Sequence, residues 1–204
     1  MEQRSEGPNP LAYPSFPFPI KVMIGGQERR GVLRGNDYFV PVRKGEVYEL
    51  WIENRSRQMA LMRLLVDGLN TLPEKDTSKG IQTMVIGKRV NLDEARHWEL
   101  DPAASTVFAV RGFVTDVAAQ GKLREFLVVD ADDSLAARQK FTDQIGLITA
   151  AFYVPKSTAR KLGTGLGKER GEEFLAAHEL EPGKLMSVVH IRYVDAAALA
   201  QPQN

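Results

Sequence analysis

EVYELWIENRSRQMALMRLLVDGLN, residues 46–70, reads as two β-strands and the opening of a third, with turn chemistry between them. Tyr48, Leu50 and Ile52 fall on one face of an extended segment, and Glu49, Trp51 and Glu53 fall on the other. A period of two marks a strand with one buried and one wetter face. The polar run Asn54-Arg55-Ser56-Arg57-Gln58 turns the chain. Ala60, Met62, Leu64 and Val66 then make the next apolar face, with Arg63 opposite. Asp67-Gly68 suits a tight hairpin, because Gly takes positive φ freely and Asp tolerates it. Leu69-Asn70-Thr71-Leu72 opens the returning strand, and Pro73 ends it.

The same grammar extends in both directions. Ile20, Val22 and Ile24 alternate up to Gly25-Gly26, and a strand follows at about 28–33. Tyr38, Val40 and Val42 alternate next, then Thr106, Phe108 and Val110. Segments 123–129, 147–154 and 186–194 complete the set. Short strands parted by Gly-, Pro- and Asp-rich turns predict an all-β, sandwich-like antiparallel domain. One short helix is expected at 134–144, with Asp132, Asp133 and Ser134 as N-cap candidates and Gly146 as its end. A final helical turn is expected at 196–200. There is no βαβ alternation and no fixed-period repeat.

Residues 1–18 carry Pro8, Pro10, Pro14 and Pro17, a density that blocks helix and central strand alike. They read as an N-terminal arm, either a loosely ordered tail or one that docks through Tyr13, Phe16 and Phe18. Residues 19–204 then form one domain with a long Gly/Lys loop at 156–182.

Composition removes several functional classes. The chain has 27 basic and 26 acidic side chains and a formal charge of +1, so no global field draws it to nucleic acid or an anionic membrane. No apolar run approaches the ~20 residues of a membrane-spanning helix. With 43% hydrophobic residues the chain can bury a substantial core. The absence of cysteine excludes disulfides, thiol catalysis, iron–sulfur clusters and cysteine zinc sites. The opening MEQRSEGPNP has no apolar signal region, so the sequence as written reads as cytoplasmic. An exported chain trimmed behind a signal peptide would read the same.

Candidate chemistry is sparse. Asp130, Asp132 and Asp133 suggest a calcium loop, but the sixth and twelfth positions are Leu135 and Phe141, where Gly and Glu are required. Helix capping explains the aspartates instead. His97, His178 and His190 form no metal-binding spacing, and His190 reads as a partly buried rim residue on the last strand. No serine stands in a nucleophile elbow. Turn chemistry accounts for Asp67. No cofactor is implied.

The 156–182 loop differs from its surroundings. Gly163, Gly165, Gly167 and Gly171 alternate with Lys161, Lys168 and Arg170, a composition able to present backbone N–H groups and cations to an anion. Its spacing fits neither a phosphate-binding loop nor a dinucleotide fingerprint. It reads as a flexible connection carrying a short helix at 169–178, or as a ligand or partner contact. Trp51, on the face shared with Glu49 and Glu53, and Trp98 are candidates for stacking on a sugar ring; each can equally seal a small core. Asn54-Arg55-Ser56 matches the glycosylation triplet, which carries no meaning in a bacterial compartment.

The runs LLVDGLNTL (64–72), Arg111-Gly112-Phe113 and IGLITAAFY (145–153) resemble features of uncharacterised bacterial β-rich proteins, in which a strand ends in VDGLN and a late strand begins with an IG pair. The resemblance spans about residues 46–155. It implies a bacterial source and a sandwich-like fold, and it carries over no catalytic residue. Together these readings predict a non-enzymatic binding or assembly module that acts through an exposed sheet face or edge and the 156–182 loop. Lys161, Lys168, Arg170 and Trp51 are its candidate contact residues, and a protein partner or self-association is its expected mode. The alternative is a carbohydrate-binding module or carbohydrate-active enzyme using Trp51 or Trp98. A third reading is an anion or nucleic-acid contact through the loop.

Overall fold

Alternating and continuous apolar runs dictate different strands, and both occur here. The computed structural model describes residues 8–76, 83–102, 107–116, 122–156 and 180–199. Its strands are β1 (Ile20–Ile24), β2 (Gln27–Glu28), β3 (Val32–Arg34), β4 (Asp37–Val42), β5 (Val47–Ile52), β6 (Ala60–Val66), β7 (Leu69–Asn70), β8 (Glu74–Asp76), β9 (Thr83–Val85), β10 (Trp98–Leu100), β11 (Phe108–Val110), β12 (Gly112–Asp116), β13 (Lys122–Leu127), β14 (Leu147–Pro155) and β15 (Pro182–Asp195). The first sheet runs β12-β13-β5-β1-β2, with β11 also on β5. The second runs β10-β6-β14-β15-β4-β3, with β7 also on β6, and β8 and β9 form a separate ribbon. All pairings are antiparallel except β15 with β4. The fold is the expected all-β sandwich. No helix among the described residues is long and apolar enough to cross a membrane.

The core lies between the sheets. Tyr48, Leu50 and Ile52 of β5 face Met62, Leu64 and Val66 of β6 within one apolar cluster, and all six are buried. The 48–52 alternation is therefore a strand with one inner face. β6 departs from the expected alternation, since all seven residues are buried, Arg63 included. Its outer side is covered by a second cluster of Leu61, Ala151 and Tyr153, with Leu92, Leu180 and Val188 packed on it. The Arg63 guanidinium lies 4.8 Å from the centre of the Tyr153 ring, a cation–π contact that lets a charged residue sit in a buried strand.

Two further expectations are corrected. The strand expected at 28–33 is two strands in different sheets. β2 returns on β1, and β3 pairs with β4, with Gly31 at the crossing. A Cβ on Gly31 would lie 2.3 Å from the Tyr38 ring, so only glycine passes there. The helix expected at 134–144 is one turn, α1 (Leu135–Arg138), because Lys140 takes φ +64 and unwinds it. Ser134 caps it by accepting from Ala137 N at 3.0 Å, and Gly146 instead turns the chain into β14. The final turn is present as α2 (Ala196–Leu199). Of the two readings of the proline-rich segment, the residues from 8 onward fit docking rather than a loose tail, through Phe16 and Phe18 and not through the exposed Tyr13. Asn9 Nδ2 donates to the backbone oxygen of His190, and Phe16 and Phe18 belong to the core cluster.

The Asp67-Gly68 hairpin forms as expected, with φ +54 and +76, the two positive angles of a type I′ turn. A side chain at Gly68 would be strained by its φ, and its Cβ would stand 2.7 Å from Gln144 Oε1. Gly68→Val should therefore destabilise the domain by about 1–3 kcal/mol. A melting temperature equal to that of the unmodified protein would reject this account of the turn.

Candidate functional site

The two ends of the sandwich differ. At the end where β5 finishes with Ile52 and β6 starts with Ala60, Phe16 and Phe18 fill the space between the sheets against Phe152. At the other end no such plug exists among the described residues, and a cleft of about 620 Å³ opens between the sheets. Its walls are Tyr48 of β5, Phe113 of β12, Phe126 of β13, Val66 of β6 and Tyr193 of β15. Tyr48 stacks on Phe126 with ring centres 5.1 Å apart, Phe113 meets Phe126 edge-on at 5.1 Å, and Tyr193 tilts against Tyr48 at 5.8 Å. Offset and edge-on pairs are the favoured geometries of aromatic rings.

Asp67 supplies the polar group of this cleft. The hairpin that sets its positive φ also turns its carboxylate inward. Oδ1 accepts from the Tyr193 hydroxyl and from Gly146 N at 2.9 Å, and the backbone N of Asp67 donates to Leu147 O at 2.9 Å. Burial pushes the carboxyl pKa above its ordinary value, and the two hydrogen bonds offset this only in part. Burial, then the nearby Asp67 charge, raises the Tyr48 hydroxyl well above its usual range. Burial likewise raises Tyr193. Both phenols therefore stay protonated at every physiological pH. The trio can donate and accept hydrogen bonds, but neither phenol can act as a base.

Turn chemistry explains the φ of Asp67 but not its burial. Its partners lie 79 and 126 residues away in sequence. The three runs quoted for the family resemblance meet here. VDGLN contributes Asp67, the IG pair contributes the Gly146 N–H, and Arg111-Gly112-Phe113 contributes the Phe113 ring. Gly112 is required at that point because a Cβ would lie 2.0 Å from Arg124 O across the hairpin.

The mouth is rimmed by charge. Lys44 pairs with Asp130, and the hydrogen bond to that carboxylate raises the Lys44 pKa. Asp130 is thus an ion-pair partner at the N-cap of the turn Ala131–Asp133, where its side chain makes no capping bond. Leu127, Val129 and Leu135, all exposed, add apolar surface around the opening.

A second cleft, of about 830 Å³, lies on the outer side of the second sheet. His190 is half-buried there, with Nδ1 3.1 Å from Thr149 Oγ1. The two are direct cross-strand partners of β14 and β15, so the register alone brings hydroxyl and imidazole together. Two arginines of this cleft are engaged by carboxylates. Arg89 holds Asp143 by two hydrogen bonds of 3.0 and 2.8 Å, and Arg192 approaches Asp37 at 3.5 Å.

Of the residues singled out in the sequence, Trp51 lies half-buried on the outer face of the first sheet. Its Nε1 donates to Glu49 Oε2 at 2.9 Å, and Arg111 reaches the same oxygen at 3.3 Å. It is not part of the cleft. Trp98 is packed against the core, edge-on to Phe108 at 5.5 Å, with Nε1 donating to Thr71 Oγ1 at 2.9 Å. Lys161, Lys168, Arg170 and His178, and with them the helix expected at 169–178, lie outside the described residues. No protein-family model, no curated protein and no solved structure matches the chain.

Proposed function

We propose that the domain is a non-enzymatic binding module that takes an amphipathic group into the open end of its sandwich. The observation that carries this reading is the pairing of an aromatic wall with one half-buried carboxylate in a cleft between the sheets. Concave, mainly apolar sites with a few convergent polar groups are the usual form of a ligand site. The local chemistry favours holding over turnover. Tyr48 and Tyr193 remain protonated, and Asp67 Oδ1 is committed to two structural hydrogen bonds. The apolar rim of Leu127, Val129 and Leu135 gives the ligand's carrier a surface to rest on, which suits a protein partner presenting a side chain.

The test is an NMR titration of isotope-labelled protein with small amphipathic probes such as hexanol and hexylammonium. Shifts should centre on Phe113, Gly146 and Tyr193. Leu135→Trp, which fills the mouth from an exposed position, should weaken the response about tenfold while leaving the melting curve near that of the parent protein. Shifts scattered over both sheets, or unchanged by Leu135→Trp, would remove the cleft as the binding site.

A further inference from the structure

The preceding reading leaves open which amphipathic group the cleft takes, and the present inference rests on that reading. We propose that the cleft binds an organic cation, an alkylammonium or guanidinium on an apolar stem, with its charge on Asp67 and its stem against Phe113 and Tyr193. Asp67 Oδ1 is saturated by Tyr193 and Gly146, while Oδ2 takes no hydrogen bond among the described residues. No described cation pairs with this carboxylate: Lys44 is paired with Asp130, and neither Arg124 nor Arg138, which also line the cleft, makes an ion pair with it. A carboxylate held in a half-buried, apolar place without a counter-ion is poorly compensated, and a ligand cation supplies what is missing. The rings add to this preference. Phe113 and Tyr193 are the half-buried members of the aromatic group, backed by buried Tyr48 and Phe126, and ring faces attract ammonium and guanidinium groups. The mouth does not oppose entry. Lys44, Arg124 and Arg138 there are balanced by Glu125, Asp130, Asp133 and Asp195. Discrimination therefore falls to the interior carboxylate.

The same chemistry arises from a free amine or from a lysine or arginine side chain of a partner, and the experiment separates these sources. Labelled protein is titrated with hexylammonium, with isosteric neutral hexanol, and with the capped peptide acetyl-Leu-Lys-Leu-amide. Each titration is repeated on Asp67→Asn, which keeps an oxygen acceptor for Tyr193 and Gly146. Hexylammonium should bind the parent protein about tenfold or more tightly than hexanol, as expected for a charge-assisted hydrogen bond, and Asp67→Asn should erase that difference. Tighter binding of the peptide assigns the cation to a partner's side chain, and tighter binding of hexylammonium assigns it to a free amine. If hexanol matches hexylammonium and Asp67→Asn changes neither, the cation is wrong while the cleft still binds. If none of the probes shifts Phe113, Gly146 or Tyr193, both this inference and the binding-cleft reading fail.

Discussion

Phe18→Ala should lower the stability of the domain by about 3–5 kcal/mol, the usual cost of truncating a fully buried phenylalanine. Phe18 is 1% exposed, and its ring stacks on Phe152 at 4.4 Å with only 7° between the planes. Phe16 meets both rings edge-on, at 5.9 and 6.1 Å. The segment is also tied by backbone bonds, with Arg55 N donating to Pro17 O at 2.8 Å and Glu53 N to Pro19 O at 3.1 Å. Prolines suit this path. They donate no ladder bond, yet their carbonyls still accept, and their fixed φ limits the entropy lost on docking. Tyr13→Ala, half-exposed in the same segment, serves as the control and should change stability by no more than about 0.5 kcal/mol. Denaturant unfolding of the two variants decides the matter. Equal midpoints would show that the proline-rich segment lies on the sandwich without belonging to its core.

This segment also shows where the sequence is legible and where it is not. Period-two alternation is a local property, so Tyr48, Leu50 and Ile52 announce their strand and its inner face directly. The hairpin at Asp67-Gly68 is equally local, because its φ angles restrict which residues fit. Burial on a second face is not local. β6 hides Arg63 because Leu92, Leu180, Val188 and Tyr153 cover its outer side, and no window around residue 63 contains them. Phe16 and Phe18 look like a tail because prolines dominate their neighbourhood, while their partner Phe152 lies more than 130 positions away. The crossing at Gly31 is hidden for a related reason. An extended run of residues reads the same whether it stays in one sheet or passes to the other. The cleft is the extreme case. Its carboxylate, its tyrosines and its phenylalanines come from five separate strands and turns, and each is ordinary in its own segment. Only the pairing of the sheets makes them a site.

Asp67 carries the second large expectation, and its two substitutions should diverge. Asp67→Ala strands the Tyr193 hydroxyl and the Gly146 N–H without their acceptor and places alanine at φ +54. Each of these half-buried groups loses about 1 kcal/mol with its acceptor, the low end for such losses, and the left-handed backbone adds about 1 kcal/mol. A loss of about 3 kcal/mol follows. Asp67→Asn keeps an oxygen in the same place, tolerates the same φ, and buries no charge, so it should stay within about 1 kcal/mol of the parent protein at neutral pH. The pH dependence fixes the sign. Because the folded-state pKa of Asp67 is raised above its unfolded value, this carboxyl stabilises the fold fully only below the unfolded value, near 3.8. That contribution is lost as pH rises through the folded value. Glu53 has the opposite sense. Burial pushes it up, but hydrogen bonds from Arg55 and Lys21 outweigh burial and hold it low, so its contribution is lost as pH falls. Bulk acid unfolding mixes the two, whereas the difference between the parent protein and Asp67→Asn isolates Asp67, since Tyr48 and Tyr193 do not titrate in this range. Relative to Asp67→Asn, the parent protein should lose stability as pH rises from about 3.8 through the folded pKa, and then run parallel to it. A difference that grows in the other direction would mean that Asp67 is held ionised by a cation, and the carboxylate of the cleft could no longer be read as lacking a counter-ion.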